Sequence, residues 1–441
     1  MEYKILEKLG QGGFAEVFKV ADENGQAYAL KKFAPAQHII DSAGEESLKK
    51  RFQREIRHQE SIKHPQVVQI IDSDFEADPP FFVMELGAGT LEDDIASGQL
   101  FEIGVGRALF GILAGLEVIH ESGFVHRDLK PANVLRFGSG DDVSYKISDF
   151  GLISHGNGDA TTLTGTGDGG GTARYAPPEL MTEFKRATAA SDIYSFGAIL
   201  HDIYAPGTKR IPYTELSAEG DIGKIITKCT KQQARRRYRN VAELREDLYD
   251  VIDTAEPVVN TVEEQRFVDV LNAKADLGEE EWDEVFDYID SIPKSEGWPR
   301  GLFQAFRHEH LEALSDHSPE LFVSLARDYC SFVRGSAFDF EYCDVLGDRL
   351  KAFYRLGGIE VKAEAGAAAL VLGVSHNRWY VERIFTQMLA SDVPDALAER
   401  FILLMEDEEK NVCRLISRLE VSINFDRNEL HSIFVTRCGE A

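Results

Sequence analysis

Residues Val125 to Leu135 read VHRDLKPANVL. Apolar residues close both ends, while Arg127, Asp128, Lys130 and Asn133 crowd the interior. Charged groups enter a protein interior only with partners. The stretch therefore predicts a fixed loop, anchored by its apolar ends, whose charges are met by groups from elsewhere.

The rest of the chain limits what those groups can be. At 441 residues, 43% of them hydrophobic, two folded domains are expected. The five cysteines (Cys229, Cys330, Cys343, Cys413, Cys438) are scattered, odd in number and without CxxC spacing. That pattern indicates neither a disulfide framework nor a zinc site and favours a reducing compartment. The start MEYKILEKLG lacks a basic-then-apolar leader, and no run of about 18 apolar residues occurs, so a cytoplasmic, soluble protein is expected. A formal net charge of -27 disfavours direct binding to nucleic-acid backbones or anionic membranes. From Pro257 onward roughly 35 acidic face 19 basic residues, read as a solvated helical surface rather than an acidic recruitment face.

Short apolar runs at Tyr3–Leu9, Ala15–Val20 and Ala27–Lys32, separated by glycines and Glu23-Asn24-Gly25, predict an antiparallel meander. Leu48, Phe52, Ile56 and Ile62 then recur at helical spacing over Glu45–Lys63, ending before His64-Pro65. Strands at Val67–Asp72 and Phe81–Leu86 complete a small β-rich lobe. Beyond Gly89 the pattern turns helical, with Ala189–Tyr204 one clear helix, and TAEPVVNTV (Thr254–Val262) carries a boundary's composition. The expected domains are 1–255, divided into lobes of about 1–86 and 87–255, and an all-α domain over 263–441. Helices in the latter are predicted at Glu279–Ile289, Gly301–Leu314, Pro319–Arg334, Tyr342–Leu356, Val361–Leu372, Tyr380–Ala390, Asp395–Glu406 and Lys410–Leu419. The three Trp (Trp282, Trp298, Trp379) are read as core.

LGQGGFAEVFKV (Leu9–Val20) places Gly10, Gly12 and Gly13 between two strand-like runs. A dinucleotide fold or P-loop would continue into a helix, whereas Phe14–Val20 alternates as a strand. The glycines therefore form a hairpin lid whose amides can approach phosphates from above. Lys31, pointing inward beneath such a lid, needs a carboxylate, and Glu55 on the following helix offers one. Lys146-Ile147-Ser148-Asp149-Phe150-Gly151 adds a further carboxylate on a strand-turn.

With VHRDLKPANVL, these motifs resemble, in order and spacing from Tyr3 to Ile252, the eukaryotic-like (Hanks-type) Ser/Thr protein kinases. The resemblance implies a two-lobed α+β kinase fold and ATP- and Mg-dependent transfer of a γ-phosphoryl group to protein Ser/Thr hydroxyls. It further implies that Gly10, Gly12 and Gly13 cover the phosphates, that Val17, Ala29, Met84, Glu85 and Leu86 border the adenine, and that Lys31 holds phosphates while paired with Glu55. Asp128 would orient the acceptor hydroxyl, Lys130 would neutralise the moving group, and Asn133 with Asp149 would hold Mg. Structural roles fall to Arg127, to Thr172 beside Asp128, to Glu179 paired with Arg237, and to Asp192 behind the catalytic loop. Thr161, Thr162, Thr164 and Thr166, in a Gly- and Thr-rich stretch, are candidate autophosphorylation sites that Arg127 would capture.

Two departures stand out. Ala15 replaces the family's third lid glycine, and Gln59 sits where an apolar residue usually packs. Gln59 alone speaks for a rival reading, a nucleotide-binding pseudokinase scaffold acting through its helical domain. That domain resembles HEAT or armadillo arrays over one or two units, EVKAEAGAAALVLGVSHNRWYVERIFTQML. It would recruit substrate, regulate the kinase, bind another protein or dimerise.

Overall fold

A computed structural model describes residues 3–140, 143–149, 172–181, 187–207, 210–252, 259, 261–274, 276–293, 297–339, 341–423 and 425–439. The chain forms two compact units, Met1–Ile252 and Asp253–Ala441.

The first unit opens with the meander β1 (Lys4–Gln11), β2 (Ala15–Ala21) and β3 (Ala27–Phe33). Its second turn follows from Asp22, whose carboxylate accepts the amides of Asn24 (2.9 Å) and Gln26 (2.8 Å), with Gly25 at φ +80°. Helices α1 (Gln37–Ala43) and α2 (Glu45–Ser61) come next, then β4 (Ile70–Asp74) and β5 (Phe81–Met84), giving the sheet order β1-β2-β3-β5-β4. Leu48, Phe52 and Ile56 of α2 pack beneath the sheet with Ala29, Phe82 and Met84. The predicted strand at Val67–Asp72 starts later, at Ile70. Its first residues bond elsewhere: Val68 N–H donates to Ile147 O (2.9 Å), and Gln66 O accepts Ile147 N–H (2.8 Å). That short bridge ties this segment to the strand preceding Asp149.

The large lobe begins with β6 (Gly89–Thr90), α3 (Leu91–Ser97), α4 (Gln99–Ile103) and α5 (Val105–Glu121). The antiparallel pair β7 (Val134–Phe137) and β8 (Ser144–Ile147) leads toward α6 (Ala189–Tyr204), α7 (Gly220–Cys229) and α8 (Val241–Ile252). One apolar core joins α5, α6, α7 and α8 with Leu129, Val134 and Ile147. A Cβ on Gly115 would lie 2.8 Å from Gln66 O and 2.9 Å from Ile147 Cδ1. Glycine thus lets α5 press against β8, which seats the loop between them on the core.

The second unit is helical among its described residues: α9 (Val262–Ala273), α10 (Glu279–Ser291), α11 (Arg300–Ala305), α12 (His308–His317), α13 (Pro319–Gly335), α14 (Tyr342–Leu356), α15 (Ile359–His376), α16 (Trp379–Met388), α17 (Asp395–Asp407), α18 (Val412–Ser422) and α19 (Ser432–Cys438). The single helix predicted over Gly301–Leu314 is two. Phe306 and Arg307 are extended, and His310 Nδ1 accepts the Arg307 amide at 2.9 Å, starting a new helix. Each of α12 to α15 packs against both the next helix and the next but one. Small residues permit this approach: a Cβ on Gly373 would meet Glu382 N at 2.9 Å, and one on Gly366 would meet Leu389 Cδ2 at 2.7 Å.

Two expectations need correction. Cys413 and Cys438 form a disulfide between α18 and α19, while Cys229, Cys330 and Cys343 are buried and free. Nothing in the spacing of an odd, scattered set indicates such a pair, and the pair removes the cysteine argument for a reducing compartment. Of the tryptophans, Trp282 is buried and Trp298 lies against Phe303, but Trp379 is exposed at the start of α16. No helix among the described residues is long and apolar enough to cross a membrane.

Candidate active site

The loop 125–135 is held from below by one carboxylate. Asp192, near the start of α6 and wholly buried, accepts the backbone amides of His126 and Arg127, each at 2.8 Å, and His120 Nε2 at 2.8 Å. Burial works against its charge, but the His120 hydrogen bond, the neighbouring histidines and the Arg127 amide prevail and hold its carboxyl below the usual range. Arg127 takes φ +70°, a costly conformation for a side-chain-bearing residue that Asp192 makes tenable. Burial lowers the affinity of Arg127 itself for its proton, against the opposing pull of Asp192.

Above that support the charged residues converge. Lys130 Nζ lies 2.9 Å from Asp128 Oδ2, and Asn133 Nδ2 donates to Asp128 O (2.8 Å) and Oδ2 (3.1 Å). Asn133 O in turn accepts Ser148 N–H at 2.8 Å and Ser148 Oγ–H at 3.0 Å. This places Asp149, the next residue, against the same turn. Asp149 also has positive φ, +63°, and its Oδ1 receives Lys31 Nζ at 2.8 Å. Lys31 is carried inward by β3, paired with Val17 on one side and Phe82 on the other.

His126 belongs to this network although sequence reasoning assigned it no role. Its Nδ1 accepts the Asp128 amide (3.3 Å), which leaves Nε2 to donate to Ser148 O (3.0 Å). Its position between Val125 and Arg127 in the quoted stretch was the available signal. Lys146 was missed too: its Nζ meets Glu85 Oε1 at 2.6 Å, and Glu85 Oε2 accepts the Gln69 amide at 2.9 Å, bracing the chain between the lobes.

Val17, Ala29, Met84 and Leu86 share one apolar cluster with Leu135. Gly10 lies near the end of β1 opposite Val17 and Gly12 lies in the β1–β2 turn; a Cβ on Gly10 would meet no described atom within 4 Å and one on Gly12 only Ala15 O at 3.8 Å. The interior does not require glycine at these points, and the space above them is open. Glu179 and Arg237 form a two-pronged pair, at 2.7 and 2.8 Å, joined by Ser191 Oγ on Glu179 (2.9 Å). Burial raises the Glu179 carboxyl, yet the Arg237 hydrogen bonds and charge outweigh it and hold it below the usual range. Gln59 is buried and donates to Val68 O at 2.7 Å. Gly13 adjoins the lid, its carbonyl accepting the Ala36 amide at 3.2 Å. The side chains of Glu55 and Thr172, and all of Thr161, Thr162, Thr164 and Thr166, lie outside the described residues.

Residues 3–267 match the family model described as a protein kinase domain. Curated relatives include serine/threonine-protein kinase PknL of Mycobacterium tuberculosis, 34% identical over 221 residues, 49% of this chain and 51% of the relative. A probable serine/threonine-protein kinase of Streptomyces coelicolor is 30% identical over 282 residues, covering 57% of this chain and 40% of the relative. Probable serine/threonine-protein kinase PknB of Corynebacterium glutamicum is 30% identical over 209 residues, 46% and 31% of the two chains. The matched regions span between about a third and a half of these relatives' lengths. A glycine lid, a strand lysine meeting Asp149, and an Asp128 turn carried on α6, all inside a family match covering well over half the chain, make this protein a member of the protein kinase family.

Proposed function

We propose that the chain transfers the γ-phosphoryl group of ATP, with Mg2+, to Ser or Thr hydroxyls of proteins. The convergence of Lys31, Asp128, Lys130, Asn133 and Asp149 through direct hydrogen bonds carries this reading. The donor set suits the metal. Asn133 commits its amide nitrogen to Asp128, leaving the amide oxygen for a cation, and Asp149 adds a carboxylate. Mg2+ characteristically binds one or two protein oxygens plus phosphates. When bound, it supplies charge neutralisation at phosphate oxygens. The open space over Gly10 and Gly12 suits backbone approach to phosphates.

Asp128 accepts the hydrogen bond of the acceptor hydroxyl and takes its proton as transfer completes. Lys130 and Lys31 provide fixed positive charge on either side of the transferred group. Val17, Ala29, Met84, Glu85 and Leu86 border the adenine. Because the transition state is loose, prearranged charge and alignment carry most of the acceleration. Asp192 and Arg237 act as positioning residues. Thr161, Thr162, Thr164 and Thr166 are proposed autophosphorylation sites, with Arg127 as their partner and Thr172 as a ligand of Asp128. The protein is proposed to be cytoplasmic.

Residues 1–255 are assigned to the kinase and 263–441 to a HEAT-like domain that recruits substrate or regulates transfer. The next-and-next-but-one packing of α12 to α15 supports stacked helix pairs. Gln59, which spoke for a scaffold, spends its polarity on Val68 O, so no observation favours the pseudokinase reading. The decisive experiment follows labelled γ-phosphate into protein for the parent and for Asp128→Asn, with mapping of the modified residues. Labelling on Ser or Thr that the variant lacks is expected. Equal labelling by both proteins refutes the assignment.

A further inference from the structure

The cysteines of this chain fall into two groups by access. Cys229, Cys330 and Cys343 are wholly buried, and burial pushes each of their thiols up, which makes them inert toward thiol chemistry. Cys413 and Cys438 are half-buried, within reach of a small solute, and bonded to each other across α18 and α19. Thiol exchange on the native fold is therefore confined to this one pair.

The bond fastens a helix that little else secures. With seven residues, α19 is too short to be stable alone. Ser432, Thr436 and Arg437 face solvent, and its buried side chain is Phe434, edge-on to Phe401 of α17 with 5.5 Å between ring centres. Arg437 pairs with Glu406 at the surface, where an ion pair adds little. Cys438, the last residue of α19, closes the chain back onto Cys413, 25 positions earlier. Closing a loop of that length suppresses its opening by on the order of a hundredfold.

Breaking the bond does not scatter its ends. Arg427 Nη1 donates to Cys438 O at 2.9 Å and to Gly439 O at 3.0 Å, while its Nε and Nη2 grip Glu420 of α18 at 2.7 and 2.6 Å. Arg427 is itself buried. This charge-assisted fork keeps Cys438 beside α18 when the sulfurs are apart, so the pair is placed to close again.

We propose that Cys413 and Cys438 form a thiol–disulfide exchange site for low-molecular-weight thiols and disulfides of the glutathione class, whose state decides whether α19 is fastened to α18 or free to open. A small thiolate attacks one sulfur, the Cys413–Cys438 bond breaks, and a mixed disulfide forms there while the other cysteine leaves as a thiolate. A second small thiolate then attacks the mixed disulfide at the small molecule's sulfur, releasing the cysteine. Two thiols are oxidised to one disulfide, and the pair gains two electrons and two protons. This inference does not rest on the phosphotransfer reading.

The test equilibrates the full, folded chain with glutathione at stepped ratios of reduced to oxidised form, alkylates free thiols without denaturant, and maps the modified residues by mass. Cys413 and Cys438 should open together as the ratio becomes reducing and close again when oxidised glutathione is restored, with Cys229, Cys330 and Cys343 unmodified throughout. Amide hydrogen exchange should then show α19 opening on the order of a hundredfold more readily in the reduced parent, with α13 to α15 unchanged, and Cys413→Ser should match the reduced parent. The reduced parent needs no substitution, so the outcome stands even if that variant folds poorly. A pair that opens only after denaturation is a permanent staple and overturns the proposal, as does a pair that never closes in oxidised glutathione. Exchange in α19 that ignores reduction, or that rises equally through α13 to α15, overturns it as well.

Discussion

Replacing Asp192 by Asn separates charge and hydrogen bonding from shape. The carboxylate serves three donors: Oδ2 takes the His126 amide and His120 Nε2, and Oδ1 takes the Arg127 amide, all at 2.8 Å. An amide has one oxygen. If that oxygen keeps the His126 and His120 bonds, its NH2 group faces the Arg127 N–H, donor against donor. The loss of one charge-assisted bond and the orphaning of a buried donor predict destabilisation of about 2–4 kcal/mol. The consequence for activity is larger. Arg127 holds φ +70°, a conformation costing on the order of 1–3 kcal/mol that the Asp192 bond offsets. Without it the backbone relaxes toward negative φ and shifts Asp128, the next residue. Displacement of a reacting group by roughly 1 Å costs about a hundredfold in rate. Urea unfolding gives the stability change, and initial rates of labelled phosphate transfer give the activity. Parent-like transfer together with a stability loss below about 0.5 kcal/mol would refute the view that Asp192 dictates the loop backbone.

Two further outcomes follow from packing and charge. Arg237→Ala leaves Glu179 with Ser191 in place of a two-pronged pair, and should cost about 3–5 kcal/mol in urea melts. Because the Asp192 and Glu179 carboxyls titrate below their unfolded values, their contribution is complete above about pH 4 and is lost as pH falls through the folded values. Melts between pH 3 and 7 should therefore show parent stability falling at the acid end, with a shallower fall in Arg237→Ala. Identical slopes would remove Glu179 from the account. In the second unit, Gly373→Val places side-chain atoms where Glu382 N stands 2.9 Å from a Cβ, and should lower stability by about 1–3 kcal/mol. Gly358→Ala, with no described atom within 4 Å of its Cβ, is the neutral control, and equal melting of the two variants would contradict close packing of α15 on α16.

Much of the first unit was legible because local chemistry and fold agree there. The Asp22–Gly25 turn, the Leu48–Phe52–Ile56 stripe and the apolar ends of VHRDLKPANVL each state a structural requirement within a few residues. Failures fall where a distant partner overrides the local pattern. Val67 and Val68 read as strand beside β5, but the Val68 amide and the Gln66 carbonyl bond to Ile147, nearly eighty positions later. His310 reads as an ordinary helix residue, yet it caps a helix start that splits Gly301–Leu314. Cys413 and Cys438 pair across a helix pair whose contact no periodicity announces. The same logic explains the site. Its individual residues are visible in short motifs, because each motif spaces them on one turn. The state of a residue such as Asp202 is invisible, since it depends on Arg210 and Tyr175 arriving from two other segments. A carboxylate at the end of α6 could attract a basic substrate or be silenced from within. Only the placement of Arg210, buried and bonded to both Ala198 O and Asp202, decides for silencing.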